Sequence, residues 1–82
     1  MPVPYGIVCD RCRTLHLIPE KGKASRIHYD RQQRAFRAQC IPPCPNIIYS
    51  HTRMLMSYMV TDEAVQCGYV NVDDCRPIAK IP

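Results

Sequence analysis

Along this chain, short runs of alternating apolar and polar residues are separated by turn-forming and cysteine-bearing segments. Residues 13–18 have strand character, and 19–23 contain both Pro19 and Gly22, which marks a turn. A hairpin follows. Ile27 and Tyr29 alternate with Arg26 and His28; beyond the polar stretch 30–33, Phe36 and Ala38 alternate with Arg37 and Gln39. One hairpin face is expected to carry Ile27, Tyr29, Phe36 and Ala38, and the other Arg26, His28, Arg37 and Gln39.

Pro42, Pro43 and Pro45 exclude a helix at the next segment. Residues 46–60 are apolar and free of Gly and Pro. They fit two strands, 47–49 and 55–60, joined at 50–53, or one Met-rich helix; strands are preferred. Residues 61–68 predict a short helix, with Thr61 as N-cap, Asp62 and Glu63 in the first turn and Gly68 as the stop. Residues 69–72 read as a short strand or extended segment, and 73–82 as a loose tail.

A chain of 82 residues forms one small domain, and its apolar interior offsets the entropy of ordering only narrowly. A staple is expected, and six cysteines can supply one. An even count fits a disulfide framework as well as metal ligands. Residues 1–6 show no basic stretch or apolar run of a secretory leader, so a cytoplasmic protein is expected. The most apolar run, 54–60, is far short of the ~20 residues that span a bilayer. In a reducing compartment, closely spaced cysteine pairs favour metal over disulfides.

Cys9 and Cys12 form a Cys-x-x-Cys pair, and Cys40 and Cys44 a second pair with three residues between them. Each turn can place two sulfurs on one edge of a tetrahedron, and two turns close it around one structural Zn²⁺. Iron is chemically possible at the same four sulfurs. Residues 5–45 resemble a zinc ribbon, the rubredoxin-like arrangement of two cysteine knuckles joined by a β-hairpin. The second pair departs from the family pattern of two intervening residues followed by glycine, since Pro45 follows Cys44. Prolines 42, 43 and 45 also remove amides that would donate to thiolates, so Cys67 or His51 stands as an alternative fourth ligand to Cys44. The resemblance implies a small metal-stapled β-rich α+β domain: a zinc-ribbon module over 1–45, then an extension of apolar strands and one short helix over 46–82, packed as one unit. Cys67 and Cys75 are expected as small buried hydrophobes, with a disulfide between them or a share in the metal site as the alternatives.

Charge is uneven. Residues 1–39 carry eight Lys/Arg against three acids, while 40–82 sum to −1, within a formal net charge of +4. Four thiolates around a divalent ion would bring the loaded protein to roughly +2. The expectation is a non-enzymatic protein whose basic hairpin face, Arg26, His28, Arg31, Arg34 and Arg37, contacts DNA or RNA phosphates. Tyr29 and Phe36 are expected in the core, and would stack on bases only if the apolar face were open. The alternative is a docking module using Met54, Met56 and Met59 toward a protein partner or a second copy. A dithiol redox role for Cys9 and Cys12 ranks third, because a strand rather than a helix follows the pair. No membrane association and no small-molecule substrate are expected. His16, His28 and His51 have no sequence-local carboxylate or nucleophile and read as surface or core residues.

Overall fold

The computed structural model describes residues 2–19 and 26–80. Eight strands and one helix follow in the order β1 (Tyr5–Val8), β2 (Thr14–Leu17), β3 (Ile27–Asp30), β4 (Ala35–Gln39), β5 (Ile47–His51), β6 (Met56–Met59), α1 (Asp62–Cys67), β7 (Tyr69–Asn71) and β8 (Arg76–Lys80). They form a five-stranded sheet, β7-β2-β1-β6-β8, and a three-stranded sheet, β3-β4-β5. Among the described residues no helix is long and apolar enough to cross a membrane.

The five-stranded sheet is the middle of three layers, and alternation along its strands decides what each side meets. Leu15 and Leu17 project to one side, where with Tyr58 and Val60 they bury Ala64 of α1. Ile7 and His16 are cross-strand partners on the other side. There Ile7 packs with Ile27, Ala38 and Leu55, which joins the two sheets.

Local chemistry accounts for the helix. The Thr61 hydroxyl accepts from the Ala64 amide, Asp62 and Glu63 occupy the first turn, and Gly68 closes the end at φ 88°. The β3–β4 hairpin pairs Ile27 with Ala38, His28 with Arg37 and Tyr29 with Phe36, so the expected faces form. The Asp30 carboxylate accepts from the Gln32 and Gln33 amides and shapes the turn.

Several expectations need correction. Tyr29 is not core: it is about half exposed and meets Phe36 edge-on at 5.2 Å between ring centres. The loose tail is instead a short 3-10 turn at Val72–Asp74 followed by β8, which pairs antiparallel with β6. Cys67 is exposed rather than buried, and neither it nor Cys75 is in a disulfide. The turn expected at 19–23 lies, beyond Pro19, outside the described residues. β2 and β3, the strands on either side of it, belong to different sheets. No layer boundary falls at residue 45, since β5 completes the three-stranded sheet while β6 and β7 flank the β1–β2 hairpin.

Gly6 sits close against β2, its neighbour in the same sheet. A Cβ there would lie 2.6 Å from Leu15 Cδ1 and 3.0 Å from the His16 carbonyl oxygen, the latter fixed in the sheet. Gly6→Ala is expected to cost about 1–3 kcal/mol of stability, read from urea unfolding. Burial, with the Arg26 charge adding to it, lowers the His16 pKa below its ordinary 6.5. The unfolded chain therefore takes the proton first, and the contribution is complete above about pH 6.5 and lost as pH falls through the folded value. His16→Leu should flatten this segment of the stability profile, so the gap between variant and wild type in unfolding midpoint will change between pH 7.5 and 5.5.

Candidate metal centre

Two hairpin turns supply the centre. Cys9 follows β1 and Cys12 lies in the turn to β2, closed by Cys9 N–H to Thr14 O at 2.8 Å and Arg13 N–H to Cys9 O at 2.8 Å. Arg13 completes the reversal with φ 65°, in the left-handed region that ordinary side chains rarely enter. It is held there from the far end of the chain: Arg13 Nη2 donates to Asp73 Oδ1 at 2.7 Å, and the Val72 amide donates to Arg13 O at 2.9 Å. Arg13 is thus committed to Asp73, which raises the guanidinium pKa and holds the carboxyl below its usual range.

Cys40 follows β4 and Cys44 precedes β5. The Cys44 amide donates to Ile41 O at 3.0 Å and the Cys40 amide to Asn46 O at 3.0 Å, so the proline-rich segment reverses between paired strands. The sulfurs of Cys9, Cys12, Cys40 and Cys44 all lie within 4.8 Å of one another. Cys9 and Cys44 approach to 3.8 Å and Cys12 and Cys40 to 3.3 Å, so sulfurs of the two turns meet directly. A tetrahedral ion with sulfurs at about 2.3 Å requires edges of about 3.8 Å, and the cluster spans that value. Four sulfurs so arranged could hold a metal ion.

The local hydrogen bonds suit thiolates. Asn46 Nδ2 donates to Cys9 Sγ at 3.4 Å, reaching across from the second turn. Burial pushes the Cys9 thiol up, but Asn46 and the Cys12 and Arg11 amides outweigh it and bring the pKa down to about 6. Thr14 Oγ1, 3.2 Å from Cys12 Sγ, lowers that thiol. Cys40 is pushed up to about 12 by burial and by the surrounding sulfurs. Asn46, in the proline-rich second turn, thus donates to the sulfur of the first turn, a role that no residue pattern around it signals.

The remaining sequence candidates lie elsewhere. Neither Cys67 nor His51 is in the four-sulfur group: Cys67 ends α1 and His51 closes β5 at the end remote from Ile47. Arg31 and Arg34 occupy the β3–β4 turn, Arg34 with φ 52°. His28 and Arg37 are exposed neighbours in the three-stranded sheet, and the register places Tyr49 directly beside Arg37. The row His28–Arg37–Tyr49 runs across all three strands on one face, and Tyr49 is 55% exposed. The alternation of 47, 49 and 51 against 48 and 50 would have identified Tyr49 once β5 was taken as a strand.

No family model matches this chain, and no curated protein or solved structure matches it. What the structure supports is four cysteines close enough to hold a metal ion, consistent with a zinc-binding domain.

Metal titration is expected to saturate at one equivalent per chain, and Co²⁺ to show the intense sulfur-to-metal absorption of four thiolates. Cys44→Ser should weaken binding as severely as Cys9→Ser. Because binding requires thiolates, affinity should fall with pH. The fall should steepen below about pH 6, where Cys9 also binds a proton in the metal-free protein.

Proposed function

We propose that Cys9, Cys12, Cys40 and Cys44 hold one structural Zn²⁺ and that the protein binds nucleic acid through the outer face of its three-stranded sheet. Zinc suits a donor set made wholly of sulfur, and with four protein ligands it keeps no position for water or substrate. That supports a binding protein rather than a metal-dependent hydrolase.

The observation that carries the nucleic-acid reading is the exposed row His28–Arg37–Tyr49. Arg37 offers a fixed charge to phosphate, and Tyr49 offers a ring on which an unpaired base can stack. Arg31 and Arg34 extend the positive field along the hairpin to its turn, while the nearby acid, Asp30, is engaged by backbone amides. Tyr49 lies on β5, an edge strand of this sheet, where its exposed ring is open to an unpaired base; that favours single strands over a duplex, whose bases are already stacked.

A second reading keeps a specific observation of its own: Met54 is 63% exposed and Met59 39%, as a docking surface for a partner or a second copy requires. Sedimentation distinguishes it, since a strict monomer across the micromolar range removes self-docking.

Fluorescence anisotropy with a labelled single-stranded oligonucleotide tests the first reading. Affinity should fall as salt rises from 50 to 200 mM. Arg37→Ala should reduce the salt slope, and Tyr49→Ala should cost about tenfold in affinity on single strands, with a smaller loss on duplex. Absence of binding at low salt and micromolar protein would overturn it.

A further inference from the structure

At the open end of the β1–β2 hairpin, away from its cysteine turn, a cavity of about 740 Å³ opens between β2, the start of β3 and the end of α1. This is within the size range of small-molecule sites. Most of its wall is apolar, with Ile18, Ile27 and Val65 among the residues that form it, and among the described lining residues Arg26 carries the charge. His16 also lines it.

His16 is the uncommon feature. It is 1% exposed, and neither ring nitrogen has a hydrogen-bond partner among the described residues. Buried polar atoms are nearly always paired, and leaving them unpaired is costly, so the position calls for a functional explanation. The strand register places His16 between Ile7 of β1 and Tyr69 of β7, and Tyr69 lines the same cavity. Arg26 is close enough for its charge to act on His16, and together with burial it keeps the ring neutral. The ring therefore carries one N–H donor and one bare nitrogen.

These groups define a ligand by its chemistry. One guanidinium suits a single negative charge and repels a cation; a neutral imidazole N–H adds one donor; and the apolar wall needs a body without polar groups. We propose that this cavity binds small monocarboxylates with an apolar body, the carboxylate held by Arg26 at the cavity surface and, where the bound acid displaces the atoms that cover the ring, by the His16 N–H. This ligand is separate from nucleic acid: the site draws on Arg26 and leaves Arg37 and Tyr49 free.

Octanoate and 1-octanol, which share an apolar chain and differ in the anionic group, provide the test on the metal-loaded full chain, read by NMR. Octanoate should give saturable shifts of the His16 ring and of the Ile18 and Val65 methyls, and octanol should bind at least about tenfold more weakly. Arg26 is exposed, so Arg26→Gln should fold and should bring the two affinities together. Gln66→Trp, at an exposed lining position, should block both ligands by filling the mouth. Equal binding of acid and alcohol by the wild type would overturn the proposal. So would a carboxylate preference that survives Arg26→Gln, shifts confined to the cysteine end, or no saturable shift at millimolar octanoate.

Discussion

Two hairpins that belong to different sheets meet at their turns, and the contact between them is made of sulfur. β1–β2 contributes Cys9 and Cys12 from the five-stranded sheet, and β4–β5 contributes Cys40 and Cys44 from the three-stranded sheet. An ion bound by all four would clamp the layers together at that end, while Ile7, Ile27, Ala38 and Leu55 join them by packing alone. If that ion is zinc, typical magnitudes rank the two links. Structural zinc contributes on the order of 10–16 kcal/mol in small domains, as much as the whole net stability of a typical fold, about 5–15 kcal/mol. With the proposed ion in place the thin apolar layer suffices; without it the layer has little margin.

The rest of the chain is arranged around that end. Asn46 donates to the sulfur of the opposite turn, and Thr14 lies beside Cys12, so each turn helps to fix a ligand. Arg13, in a strained backbone conformation, is tied to Val72 and Asp73. The segment after β7 thereby braces the first cysteine turn, which links a position sixty residues away in sequence to the geometry of the centre.

What was legible in the sequence was what short-range chemistry decides. Thr61 and Gly68 bound α1 through hydrogen bonds and a backbone conformation made within the helix itself, and the β3–β4 alternation needed only its own residues. The cysteine pairs were legible because each ligand spacing is set inside one turn. β1 was not: Tyr5–Val8 contains a glycine and becomes a strand by pairing with both β2 and β6. β8 was missed for the same reason, since Arg76 and Pro77 look like loop until β6 lies beside them. Cys67 was misplaced because Ala64 and Val65 take the inward side of a six-residue helix. His16 read as isolated because its burial comes from neighbours distant in sequence.

Pro77 sits in β8, the strand at one border of the five-stranded sheet. A proline has no amide hydrogen to offer, and an outermost strand tolerates one because its free side faces solvent. That border, further guarded by the charge of Arg76 and broken by an irregular register opposite Ser57 and Tyr58, is a poor template for an incoming strand. If the proposed ion were lost, so slight an interior would leave the chain partly open more often, and it is then that protection against stacking into fibrils would matter most.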